Sequence, residues 1–343
     1  MITEKSRLIS AMNLKKVDRP PCICPGGMMN MVTKGVMENS KIFWPDAHLD
    51  PTLMAELTKA VHDNNCFENY GVPFCMTVEV EAMGAVVDMG SINYEPHVIG
   101  YAIDSVSHWQ QLKKPDCNKG RMKVVLDAIK VLKGYGGDVP IIANLTGPVS
   151  IASSLMEPSV YYKELRKNKE QAHELMEFIC EHLIEFGVKQ IEAGADIIAI
   201  SDPSGTGEIL GPKFFDEFVV RYINKVINGI KEKTERAEFI VHICGQMKKV
   251  YTNLSSIDCN TISLDAIVNL KEAKKNLPEK AIMGNVSTYA IEFSTAPKVA
   301  DITRYCMRSS SSIISPACGL GNNSPLANLQ AMLKTVKEEG IDE

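Results

Sequence analysis

The sequence has no apolar run long enough to cross a bilayer, no cluster of Lys and Arg, no linker, no low-complexity tract and no internal repeat. Each absence excludes something. A membrane-spanning helix takes about 20 consecutive apolar residues. Duplex nucleic acid or an anionic membrane surface calls for clustered cations. The formal net charge is −5, and the charge-dense stretch "KEKTER" (231–236) mixes signs, as the solvated end of a helix does. The opening "MITEKSRLISAMNLKKVDRPP" lacks the basic-then-apolar pattern of a secretory leader, so a cytoplasmic location is expected. In a reducing compartment the ten cysteines are not expected to form disulfides. Each is then a small buried hydrophobe, a metal ligand or a reactive thiol.

What is present is an ordinary globular composition, 45% hydrophobic and 23% charged over 343 residues, able to bury a large core. Short β-branched runs alternate with longer stretches of helical periodicity. The strand candidates are "PPCICP" (20–25), "GVPFCMTV" (71–78), "VPIIANL" (139–145), "ADIIAIS" (195–201), "EFIVHI" (238–243), "TISLD" (261–265), "AIMGN" (281–285) and "SIIS" (312–315). Helical patterns fill 121–134, 159–188, 212–233, 246–254, 269–276, 296–307 and 325–338. Strand–helix alternation implies a parallel sheet, and eight candidate strands over this length point to a closed (β/α)8 barrel. One α/β barrel domain is expected over 1–343, with a helical N-terminal extension at 1–65 and a β-hairpin insertion at 85–100.

In that fold the chemistry sits where strands end and βα loops begin. Polar residues stand at those ends: Asn144 and Thr146, Ser201 and Asp202, His242 and Cys244, Asp265, Asn285, and finally Cys318 in "SPACGLGNNSPLANL" (315–329). His242 and Cys244 alternate along a strand, so both face the same side, about 7 Å apart along the chain. Imidazole and thiolate suit zinc, and Cys318 follows the last strand at the same rim as a possible third ligand. H-x-C lacks the specificity of paired C-x-x-C knuckles, and a hydrogen-bonded core histidine beside a buried thiol satisfies the same spacing.

Several segments together resemble the uroporphyrinogen decarboxylase superfamily, and within it the methylcobamide:coenzyme M methyltransferase branch. They are "VDRPPCICPGG", "WPDAHLDPTLMAEL" (44–57), "VPFCMTVEVEAMGA" (72–85), "LTGPVSIASSL" (145–155), "GADIIAISDPSGTGEILGPKFFDEF" (194–218), "VHICGQ" (241–246) and "SPACGL…SPLANLQAM" (315–332). The resemblance implies a (β/α)8 barrel and zinc on His242, Cys244 and Cys318, which match the H-x-C-G motif and the C-terminal cysteine of that branch. It also implies transfer of methyl from a corrinoid, brought by a corrinoid-binding partner protein, to a thiol such as coenzyme M through a zinc-bound thiolate. Rival implications are a first-step transferase taking methyl from methanol, a methyl ether or a methylamine, a tetrahydrofolate acceptor, and a corrinoid-docking module without turnover. Porphyrinogen decarboxylation is disfavoured. The segment "PGGMMNM" (25–31) stands where the decarboxylases carry arginines, and many carboxylates need cationic partners.

The candidates for contacting substrate or corrin are Asp202, Asn144 and Met28, the last within an apolar methionine-rich run. Asp265 is a possible orienter of His242, a fourth ligand or a helix cap. The glycines of "SGTGEILG" read G-x-G-x-x-x-G, not a dinucleotide fingerprint. Cys22 and Cys24 are read as barrel-lining side chains, and Glu79 and Glu81 as structural or solvated.

Overall fold

The structure is a computed structural model that describes residues 2–234 and 237–340. Its named strands are β1 (Tyr70–Val72), β2 (Val86–Asp88), β3 (His97–Gly100), β4 (Ile141–Thr146), β5 (Ile197–Ser201), β6 (Glu238–Ile243), β7 (Thr261–Leu264) and β8 (Ala281–Met283). Six of them form one parallel sheet in the order β1-β4-β5-β6-β7-β8. Every residue of β4 and β5 is buried, as expected where helices cover one face of a parallel sheet and side chains fill the other.

Two further stretches complete the wall. Ile313 bridges to Met283, and Ile314 bridges to Cys22, both in parallel. The Cys22 carbonyl then accepts the Glu68 N–H at 2.9 Å, just before β1. The ring is thereby closed into the expected eight-position barrel. Its outer layer includes the helices Gly120–Gly134, Lys169–Ala193, Arg221–Lys231, Ala296–Arg308 and Leu326–Glu339. The expected insertion is the antiparallel hairpin β2–β3. The segment 1–65 is mainly helical, with helices at Glu4–Met12, Lys34–Ser40 and Pro51–Asp63, yet its Cys22 stretch belongs to the barrel wall.

Local chemistry moved several boundaries. The strand expected at 71–78 stops at Val72, because Pro73 has no N–H to donate, and Val78–Ala82 is helical. The long helix expected at 159–188 is two, Pro158–Lys167 and Lys169–Ala193, broken at Asn168. Residues 246–250 are turn and loop, and helix resumes only at Tyr251–Ser255. Lys231 ends a helix, as the reading of "KEKTER" requires, while 235 and 236 of that stretch lie outside the described residues. Among the described residues no helix is long and apolar enough to cross a membrane.

Candidate metal centre

Strand register sets the site. Ser201 of β5, His242 of β6, Ser263 of β7 and Met283 of β8 are successive partners across the sheet. This row lies at the C-terminal ends of the strands, where the fold places chemistry. His242 is 1% exposed. Its Nδ1 lies 2.9 Å from Ser263 Oγ, and the Ser263 hydroxyl points on to Met29 Sδ at 3.7 Å. A hydroxyl that donates to the thioether accepts from Nδ1–H, which leaves the Nε2 lone pair free. Nε2 faces Cys244 Sγ at 3.3 Å, and Cys244 Sγ faces Cys318 Sγ at 4.0 Å.

The three donor atoms lie within 4.8 Å of one another. Zinc with tetrahedral bonds of about 2.3 Å to sulfur and about 2.0 Å to nitrogen separates its ligands by roughly 3.5 Å (N to S) and 3.8 Å (S to S). The side chains therefore fit that ion in both spacing and donor type. Among the described residues no fourth His, Cys, Asp or Glu joins them.

The electrostatics agree. With no cation between them, two adjacent thiols cannot both ionise. The Cys244 S–H, helped by His242, pulls the Cys318 thiol down, and the Cys318 thiolate together with burial pushes Cys244 up. A divalent cation removes that conflict. The electron-rich cluster sits under acidic rather than basic surroundings. Asp265 adds to the field at Cys244. Glu95, beside the hairpin strand β3, is pushed up to about 7 by burial and then by Cys318. Glu95 is itself exposed to solvent, so water weakens its coupling to Cys318.

The other candidate residues have more confined roles. Asp202 is fully buried and accepts from Ser150 N–H (2.8 Å), Ser150 Oγ (2.6 Å) and Val149 N–H (3.2 Å), so it caps the Pro148–Leu155 helix from a neighbouring strand end. Burial pushes its carboxyl up to about 6 against those hydrogen bonds. Asn144 is also buried and donates to Pro25 O (2.8 Å) and Val72 O (3.0 Å). A Cβ on Gly27 would lie 2.7 Å from Asn144 Cβ, so this amide anchors the 25–31 loop through a close approach only glycine permits. Neither residue is open to a corrin. Met28, on that loop, does reach the cluster, with Sδ 3.8 Å from Cys318 Sγ.

Asp265 is neither the orienter of His242 nor within the ligand group. Its oxygens accept from Gly245 N–H (3.1 Å) and Ile267 N–H (3.2 Å), fixing the loop that follows Cys244. Ser263 does the orienting. Only the alignment of β6 with β7, each with its polar residue next to last, could have signalled it. Glu95 was likewise missed, because nothing in the local sequence shows that it comes within the field of Cys318. Glu79 is buried and accepts from Thr146 N–H and Oγ1 (2.8 and 3.1 Å), Glu81 pairs with Arg121 (2.6 Å), and Cys22 and Cys24 are buried in the wall.

Residues 3–339 match the family described as uroporphyrinogen decarboxylase (URO-D). The methylcobamide:CoM methyltransferase MtbA of Methanosarcina acetivorans is 32% identical, over 98% of this chain and 98% of its own length. The methylcobamide:CoM methyltransferase MtaA of Methanosarcina barkeri is 28% identical, over 96% of each chain. A solved methyltransferase from Methanosarcina mazei superposes with a TM-score of 0.91 at 27% identity, covering 99% of both chains.

Proposed function

The chain belongs to the uroporphyrinogen decarboxylase family, and from that premise we propose that it is a methyltransferase moving methyl between a methylated corrinoid and a thiol. Relatives named for methylcobamide and CoM support the direction, corrinoid to thiol. The carrying observation is the convergence of His242, Cys244 and Cys318 at the mouth of the barrel.

In this reading His242 Nε2 and the two thiolates would hold zinc, with the imidazole ring aimed by Ser263. Zinc bound there supplies Lewis acidity, under which a thiol loses its proton at neutral pH and becomes nucleophilic. Two thiolates balance the charge of the ion, so the ligands themselves leave the incoming sulfur electron-rich. The sulfur lone pair attacks the methyl carbon, a C–S bond forms, and the cobalt–carbon bond breaks with its pair left on cobalt. The thiol proton goes to solvent. The corrinoid carries the difficult methyl chemistry, and the barrel supplies position and electrostatics. In our reading the corrinoid arrives on a partner protein docked over the mouth.

Decarboxylation of a porphyrinogen has no support in the site. Arg19, the arginine nearest the methionine loop in sequence, is buried and paired with Glu68, with Nη1 2.8 Å from Oε2. No other arginine or lysine falls in residues 20–31 to receive substrate carboxylates.

The test is incubation of zinc-loaded protein with methylcobalamin and a panel of thiols, following loss of the methyl–cobalt absorbance and identifying the methyl thioether. Thiol-dependent demethylation is expected from the intact protein, and loss of both activity and bound zinc from Cys318→Ala. A Cys318→Ala protein that keeps one zinc per chain would remove that residue from the ligand set.

A further inference from the structure

Met28, expected from the sequence to face substrate or corrin, brings a thioether sulfur to within 3.8 Å of Cys318 Sγ. We propose that its thioether is a fourth, replaceable ligand of the metal, occupying the position that the incoming thiol takes over. The inference rests on the metal-site reading of the preceding section and adds one residue to it.

Distance is the first argument. Successive contacts run from His242 Nε2 to Cys244 Sγ (3.3 Å), from Cys244 Sγ to Cys318 Sγ (4.0 Å) and from Cys318 Sγ to Met28 Sδ (3.8 Å). The last equals the separation of about 3.8 Å between two sulfurs on one tetrahedral zinc.

Backbone anchoring is the second. A Cβ on Gly319 would stand 2.6 Å from the Met28 carbonyl oxygen, so glycine beside Cys318 lets the two loops touch main chain to main chain. Asn30 C=O accepts from Leu320 N–H at 2.9 Å, and the Asn30 amide donates back to Leu320 O at 3.4 Å. From the other side Asn144 holds Pro25. Met28 is thus clamped to the Cys318 loop at its backbone, while its side chain keeps the freedom of three rotatable bonds. The adjacent Met29 is fully buried and receives the Ser263 hydroxyl. One methionine steadies the histidine, and the other, partly exposed, reaches the open side of the cluster.

Chemistry is the third. A thioether is neutral, soft and weakly held, unlike the two thiolates and the imidazole. It closes the coordination sphere without changing the net charge and departs with its lone pair when a thiol enters. The thiol gives its proton to solvent and its sulfur pair to the metal. One neutral donor is exchanged for one anionic donor, and no redox partner is needed.

The test is X-ray absorption at the zinc edge on zinc-loaded full-length protein, with and without ethanethiol, for the native sequence and for Met28→Leu. The native site is expected to show three sulfurs and one nitrogen at rest, and still three sulfurs with thiol, because one replaces another. Met28→Leu is expected to bind one zinc, show two sulfurs at rest and gain a third with thiol, and bind that thiol several-fold more tightly. Should the leucine variant fail to fold, the native resting count decides alone. Two sulfurs at rest in the native protein, or a resting spectrum unchanged by Met28→Leu, overturns the proposal and leaves the His–Cys–Cys site standing. A native protein that binds no zinc overturns both.

Discussion

A metal-ligating histidine almost always commits its second nitrogen elsewhere, and a serine hydroxyl 2.9 Å from His242 Nδ1 is placed to receive that commitment. Ser263→Ala would leave Nδ1–H buried without an acceptor and let the ring turn. Zinc affinity, measured by competition with a chelating dye, is expected to fall about 10- to 100-fold while the far-UV circular dichroism stays native. An unchanged affinity would show that the ring is held by packing alone. At Asp202 the sign of a pH effect can be worked out. The folded chain holds this carboxyl at about 6, above its ordinary 3.8, so between those values the folded state binds more protons than the unfolded one. Stability contributed by Asp202 is then highest below about pH 4 and falls as pH rises toward about 6, by an amount on the order of 3 kcal/mol. Denaturant melts of Asp202→Asn are expected to lack that share of the slope, whatever their baseline. Parallel curves for the two proteins would contradict the assignment.

The elements that matter most are two loops, 25–31 and 316–320, which belong to opposite ends of the chain and lie side by side because the barrel closes through Cys22 and Ile314. Their contact is main chain on main chain at Gly319 and Met28. Gly319→Ala is therefore expected to cost about 1–3 kcal/mol and to weaken zinc binding although it alters no ligand. Equal melting temperatures and equal zinc affinity for variant and native protein would refute the contact. This is also where sequence legibility ends. His242 and Cys244 were readable because a strand fixes alternate side chains on one side, and that rule needs no partner. Cys318 was readable through the expectation of closure and through the family resemblance. Ser263 was not, since its role depends on the register of β6 against β7, which local sequence does not carry. The strand expected at 71–78 failed at Pro73, where loss of a single N–H outweighed a run of strand-forming residues. Asp202 and Asn144 stood at the right strand ends, yet the residues they serve are their own neighbours.

At the scale of the whole molecule, a metal held by β6's end and by the loop after the last strand, as we propose, would act as a staple across the barrel mouth. A ligand that binds only the folded chain stabilises it in proportion to the logarithm of its excess, about 4 kcal/mol at a thousandfold its dissociation constant. Chelation is accordingly expected to lower the melting temperature by several degrees, with recovery on adding zinc but not magnesium, because sulfur and imidazole donors discriminate against a hard ion. A melting temperature indifferent to chelator would place no metal in the fold. The account as a whole is tested most directly by titrating chelated protein with zinc and recording, at each addition, the rate of thiol-dependent loss of the methyl–cobalt band of methylcobalamin. The rate is expected to climb in proportion to added zinc and to level off at one ion per chain. Full activity before any zinc is added, or none after one equivalent is bound, would contradict the proposal that this cluster does the chemistry.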